Sequence, residues 1–175
     1  MSDRPDVLFT QAQIAGRIGE LGAELSRAYG GREVAVVGLM KSCLVFMADL
    51  IRAVDLDTTC HFLRVTSQPD PGSVRVDIVY STEVPYAGRD ILLLEDVVDT
   101  GVTLSYLIEH IREHAPRSLK VLALVDKPDE RKVDVHPDWA AFRVQGMADR
   151  FLVGYGLDHK ERFRGLPYIG TIERS

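Results

Sequence analysis

The sequence predicts an α/β fold: a mostly parallel central sheet flanked by helices, with an antiparallel flap. Three observations carry this prediction. Short continuous apolar runs at residues 34–39 (VAVVGL), 91–94 (ILLL) and 119–125 (LKVLALV) suit strands covered on both faces. Stretches with apolar residues at three- and four-residue steps lie between them, as amphipathic helices require. Strands alternating with helices then give crossover units, whose fixed right hand puts the carboxyl ends of the parallel strands on one side of the sheet.

Residues 1–9 read as an arm. Thr10 and Gln13 form a capping-box pattern, and Ile14, Ile18, Leu21 and Leu25 make a helical stripe that ends at Gly30 and Gly31. The run at 34–39 leads through Met40, Lys41 and Ser42 into a second helical stripe of Leu44, Met47, Ile51 and Val54. Lys41 therefore sits where a strand hands over to a helix, at the sheet edge where open α/β folds place ligands; the bland alternative is a solvated loop lysine. A strand is expected over 58–65 and an alternating one from Val74 to Tyr80, joined by the turn-rich loop TSQPDPGS at 66–73. Together they read as an antiparallel flap over about 58–80. Past the run at 119–125, the chain carries Asp126, Lys127, Pro128 and a charged stretch at 129–132. Short apolar segments follow at 139–144 and 151–156, then a charged stretch at 158–164, and a closing edge strand at 166–172.

The most informative stretch is ILLLEDVVDTGVTLSY at 91–106. An apolar strand of four residues gives way at Glu95 to a loop containing Glu95, Asp96 and Asp99, and from Thr103 the residues Leu104, Leu107, Ile108 and Ile111 recur at helical spacing. Asp99, Thr100, Gly101, Val102 and Thr103 supply consecutive backbone N–H groups, a residue free to turn left-handed, and hydroxyls at a helix start, which together make a phosphate cradle. Three carboxylates beside an anion repel it unless a divalent cation or a ribose hydroxyl pair intervenes. Mg²⁺ with a phosphorylated sugar resolves the conflict. The bland alternative is a helix-capping turn of no special chemistry.

At 175 residues and 46 % hydrophobic, the chain is long enough for one domain with a real core, taken as residues 1–175. A net charge of −5 argues against a surface built to neutralise nucleic acid. No apolar run approaches the roughly 20 residues of a membrane span, and the start lacks a signal-peptide pattern, so a cytoplasmic protein with no membrane partner is expected. Cys43 and Cys60, without metal-ligand spacing, read as small buried hydrophobes.

The string of four apolar residues, two acids, two apolar residues and Asp-Thr-Gly-x-Thr resembles the phosphoribosyl-diphosphate (PRPP) motif of type I phosphoribosyltransferases. Further segments, GLMKSCLVFMADLIRA, LVDKPDERKVD and FLVGYGLDHKERFRGLPYIG, resemble the hypoxanthine-guanine members of that family in the family's order, from about 34 to 172. The resemblance implies purine salvage: transfer of the 5-phosphoribosyl group from PRPP to hypoxanthine or guanine, giving IMP or GMP and pyrophosphate, with Mg²⁺. It implies a small C-terminal hood, with a purine-binding segment at about 145–175, and a homodimer or homotetramer. By position, Glu95 and Asp96 match acids on the ribose and metal side of PRPP, Asp99 a general base near purine N7, and Thr100, Gly101, Val102 and Thr103 the remainder of the 5′-phosphate cradle. Lys41, Ser42 and Arg164 match pyrophosphate-binding positions, and Lys127 the donor to the purine 6-oxo group. Phe151 matches the stacking aromatic, Leu152 the residue bonding the ring edge, and Asp158 a second-metal carboxylate beside the purine.

Two positions depart from the family. Ser42 stands where a Gly is usual, and the flap carries Gln68, Pro69 and Pro71 where the family has Ser-Tyr and a flexible loop. The alternatives these leave open are a transferase preferring xanthine and a PRPP- or nucleotide-sensing regulator on the same fold.

Overall fold

The computed structural model describes residues 4–70, 73–80 and 84–173. Nine strands and three α-helices are formed by these residues. They are β1 (Asp6–Phe9), α1 (Gln11–Tyr29), β2 (Val34–Leu39), α2 (Cys43–Ala53), β3 (Thr58–Asp70), β4 (Ser73–Tyr80), β5 (Asp90–Val98), α3 (Val102–Glu113), β6 (Ser118–Asp126), β7 (Trp139–Arg143), β8 (Arg150–Val153) and β9 (Ile169–Glu173).

The main sheet has the order β4-β3-β2-β5-β6-β7. Its five strands from β3 to β7 are parallel, and β4 runs antiparallel to β3. Alternation along the buried strands divides the core. Val34, Val36, Leu92, Leu94, Leu122 and Leu124 face α1 and α2, whereas Ala35, Val37, Ile91, Leu93, Val121 and Ala123 face α3. Both faces are covered, so these strands could only be continuous apolar runs.

α1 starts as its sequence dictates. Thr10 Oγ1 accepts from Gln13 N–H while the Gln13 side chain accepts from Thr10 N–H, and the helix ends on a left-handed Gly30. Ile14, Ile18, Leu21 and Leu25 are all buried. In α2 the buried face is Cys43, Phe46, Met47 and Leu50, and Leu44, expected in the core stripe, is half exposed. The helical period was right and its phase was shifted by one residue.

Six further expectations are corrected. The amino-terminal arm forms β1, which pairs with β9 in a separate antiparallel sheet of order β1-β9-β8. β9 is therefore the centre of that sheet, not an edge strand. β5 does not end at Leu94: its ladder with β6 continues to Val98↔Asp126, so Glu95 and Asp96 lie on the strand rather than in a loop. The 66–73 loop is largely strand, because β3 extends to Asp70 and pairs with β4 down to Asp70↔Ser73. Only from Leu63 onward is the flap antiparallel, since residues 58–63 belong to the parallel sheet beside β2. Pro71 lies outside the described residues, as do the side chains of Gln68 and Pro69. Cys43 is buried as expected, but Cys60 is exposed; both are free thiols.

Candidate active site

β2, β5 and β6 are parallel neighbours, so Lys41, the 95–103 segment and Lys127 emerge at one sheet edge. β8 and the turns that follow it bring the remaining candidates to the same edge. Two adjoining clefts result. The first, of about 320 Å³, is lined by Glu95, Asp96, Asp99, Gly101 and Thr103 with Leu39 and Leu104. The second, of about 200 Å³, is lined by Asp96, Asp99, Lys127, Phe151, Leu152 and Asp158 with Arg150 and Leu157. Asp96, Val97 and Asp99 line both.

The first cleft ends at the turn into α3. Gly101 caps α3 with φ +79°, and a side chain there would meet Val135 Cγ1 at 2.6 Å and Arg131 Cδ at 2.9 Å. Only glycine fits both constraints. The first turn of α3 leaves its N–H groups without intrahelical partners and positively polarised. Thr100 N–H already donates to Asp99 Oδ1 at 2.5 Å, so the Asp99 carboxylate is folded over its own loop. Val102, by contrast, projects half exposed away from the core.

The acids at the end of β5 lack cations among the described residues. Glu95 is 4 % exposed, its Oε1 is buried without a hydrogen-bond partner, and burial, with Asp96 and Asp99 close by, pushes its carboxyl well above the usual range. Asp96 is also raised, first by burial; hydrogen bonds from the Ser42 hydroxyl and from Val97 N–H at 2.8 Å oppose the rise. The serine that departs from the family pattern thus supports one of the two acids. Among the described residues no cation is paired with the Glu95 or Asp96 carboxyl, so burial and mutual repulsion disfavour their charged forms.

In the second cleft Lys127 is 3 % exposed and donates to Glu130 Oε1 at 2.7 Å and to Met147 O at 3.1 Å. A 3-10 turn at Pro128–Glu130 folds Glu130 back onto the lysine. Phe151 faces His159 with ring centroids 4.7 Å apart, and Leu152 is buried.

Lys41 and Arg164 line neither cleft and are joined to each other through Glu161. Lys41 Nζ lies 2.9 Å from Glu161 Oε2, and Arg164 lies 3.5 Å from Glu161 and 2.8 Å from Asp158. The peptide between Met40 and Lys41 is cis. Gly156, at φ +98°, packs against the Ser42 carbonyl with no room for a side chain, which locks the 154–157 turn to the loop after β2. Among the described residues no three acids, histidines or cysteines cluster tightly enough to hold a metal unaided, so Glu95, Asp96 and Asp158 are not brought together as one ligand set.

Sequence reasoning missed Glu130, Arg131 and Glu161. Arg131 donates to the Asp99 carbonyl at 2.6 Å and pairs with the Asp126 carboxylate. All three residues sit in charged runs that read as solvated, and no periodicity could have separated them from their neighbours.

An acidic strand end beside a glycine-capped helix start lies at this sheet edge, and residues 6–160 match the family described as phosphoribosyl transferase domain; the chain belongs to that family. It is 41 % identical over 173 residues to the hypoxanthine-guanine phosphoribosyltransferase of Bacillus subtilis, covering 98 % of this chain and 94 % of the relative. It is 39 % identical over 174 residues to the bifunctional protein TilS/HprT of Listeria monocytogenes, spanning 26 % of that longer protein. A crystal structure of a hypoxanthine-guanine phosphoribosyltransferase from Bacillus anthracis superposes with a TM-score of 0.87 at 33 % identity, covering 98 % of this chain and 99 % of that one.

Proposed function

We propose that the chain is a purine-salvage enzyme that transfers the 5-phosphoribosyl group of PRPP to N9 of hypoxanthine or guanine and releases pyrophosphate. The observation that carries this reading is that one sheet edge joins a phosphate cradle to a lysine-floored, aromatic-walled cleft through shared Asp96 and Asp99.

The C1′–oxygen bond to pyrophosphate breaks as the purine N9 lone pair forms the new bond, through a state with positive charge on the ribose. The chain must therefore anchor the 5′-phosphate, take up negative charge from the leaving group and hold the purine in line. Asp99, Thr100, Gly101, Val102 and Thr103 anchor the phosphate by backbone N–H groups and the α3 dipole. Lys127, which can only donate, favours a 6-oxo over a 6-amino purine. Phe151 stacks on the base and Leu152 offers its backbone to the ring edge. Asp99 accepts the purine's N7 proton as N9 attacks, and to do so its carboxylate leaves the Thr100 N–H. Lys41, Ser42 and Arg164 bind pyrophosphate once Glu161 yields.

The all-oxygen, cation-poor acids fit Mg²⁺, which takes one or two carboxylates and completes its shell with substrate oxygens and water. Glu95 and Asp96 would hold one ion and Asp158 a second, and these would supply charge neutralisation of the diphosphate. No helix among the described residues is long and apolar enough to cross a membrane. With the acidic net charge, this supports a cytoplasmic enzyme without nucleic acid partners. Half-exposed Leu44 and Met40 beside α2 support self-association as a homodimer or homotetramer.

The test is pyrophosphate release by purified protein with PRPP, Mg²⁺ and a panel of hypoxanthine, guanine, xanthine and adenine. Release with hypoxanthine or guanine and none with adenine is expected, and Lys127→Ala should raise the KM for 6-oxopurines. PRPP binding without release under any condition would replace the enzyme by a sensor.

A further inference from the structure

Arg131 is 8 % exposed at its side chain and lines neither cleft, yet it spans the two strands that carry them. One end of its guanidinium donates to the carbonyl oxygen of Asp99 at 2.6 Å; the other pairs with the buried carboxylate of Asp126, the last residue of β6. Arg143, 3.5 Å from Asp126, is the second cation there. Around this contact the 127–135 segment forms a rear wall to the 98–101 turn. Lys127 N–H donates to Val98 O and Lys132 N–H to Thr100 O, both at 2.9 Å, and Val133, Val135 and Arg131 close over Gly101. Every main-chain carbonyl named in that turn thus points back toward the wall, which leaves N–H groups to face the cradle.

We propose that Arg131 is a positioning residue for Asp99: by fixing the Asp99 carbonyl to the end of β6, it sets where the Asp99 carboxylate stands relative to a purine held by Lys127 on the same strand end. The proposal rests on the reading of Asp99 as the proton acceptor. The physical reason is geometric. Lys127 leaves β6 one residue after Asp126, so a single guanidinium locks the base-binding and proton-accepting groups into one frame. The planar fork bonds the carbonyl and the carboxylate through two separate nitrogens in fixed directions, so the guanidinium sets the spacing between them; a lysine ammonium would have to reach both acceptors from a single nitrogen. Displacement of a reacting group by about 1 Å costs on the order of 10²-fold in rate.

The experiment is a double-mutant cycle on the full chain. Arg131→Met, Arg131→Lys, Asp99→Asn and the Arg131→Met/Asp99→Asn double variant are assayed for kcat, for the KM of hypoxanthine and for Tm. Arg131→Met should lower kcat by about 10- to 10²-fold with the hypoxanthine KM nearly unchanged. Arg131→Lys retains a charge beside Asp126, so it should hold a Tm near that of the parent and still lose kcat. In the Asp99→Asn background the Arg131→Met change should add little, because two groups acting as a unit are not additive. Full additivity overturns the proposal, as does a parental kcat in Arg131→Lys, or a loss of Tm alone. If Asp99→Asn itself leaves kcat intact, the proton-acceptor reading fails and takes this proposal with it; that outcome differs from additivity on a crippled Asp99→Asn parent.

Discussion

At the amino end of β5, Asp90 has no exposed surface, and its carboxylate accepts hydrogen bonds from Arg117 at 2.6 Å and from the Ser118 hydroxyl at 2.6 Å, with Arg32 at 3.1 Å. At the carboxyl end of the same strand, Glu95 is nearly as deeply set and Asp96 is partly buried, and neither meets a cation among the described residues. Arg117, first among the causes, holds the Asp90 carboxyl below the usual range, whereas burial lifts those of Glu95 and Asp96 above it. One strand thus carries a completed ion cluster that ties β5 to β6, and an incomplete one whose acids have no cationic partner among the described residues. The difference separates acids that stabilise the fold from acids that lower its stability in return for ligand binding.

That contrast can be broken in a graded way. Asp99→Asn, at the incomplete end, should lower kcat by roughly 10²- to 10⁴-fold with little loss of PRPP affinity or Tm; near-parental turnover in steady-state kinetics would remove Asp99 from the chemistry. Asp90→Asn, at the completed end, should do the reverse, costing about 1–3 kcal/mol in urea unfolding while kcat per folded molecule stays constant.

Glu95→Gln should raise stability by about 1 kcal/mol at pH 8 in the absence of ligands, since it removes a buried charge, and weaken PRPP binding in calorimetry. The pH dependences have opposite signs. Asp90 contributes stability above about pH 4 that is lost as pH falls through its lowered folded value; Glu95 reduces stability increasingly as pH rises from about 4 toward its raised one. A wild-type stability curve lacking the decline that Glu95→Gln abolishes would contradict the uncompensated burial of Glu95. The smallest effect expected is at Glu161, whose pairs are exposed. Glu161→Gln frees Lys41, while Arg164 stays paired with Asp158, and inorganic pyrophosphate should inhibit about two- to fivefold more tightly. Unchanged inhibition would mean that Glu161 does not compete for that cation.

What the sequence revealed and what it hid divide along physical lines. The parallel strands and α1 were legible because burial on two faces leaves only apolar runs, and because the Thr10–Gln13 cap is a local exchange of hydrogen bonds. The turn from β5 into α3 was legible because its left-handed backbone falls on Gly101. The end of β5 was not, because a main-chain ladder continues past Leu94 whatever the side chains are, and its length was set by pairing with β6. Glu130 and Arg131 stayed hidden because the turn at Pro128–Glu130 reverses the direction of a charged run, turning residues that read as solvated into the rear wall of the site. The phase of α2 was ambiguous because Cys43 and Leu44 are both apolar and only packing chose between them.

The β3–β4 ribbon runs past the sheet that supports it: β3 loses β2 as a neighbour after Leu63 and keeps β4 as far as Asp70. One flank of that overhang is an open row of peptide groups, the feature through which strands of separate chains zip together and aggregate. Pro69 sits in this overhang opposite Val74. Since proline has no N–H to give, this ribbon has one main-chain donor fewer, and proline is a common means of blunting an exposed strand edge. The flap's departure from its family at this position can then be understood as protection against self-templating.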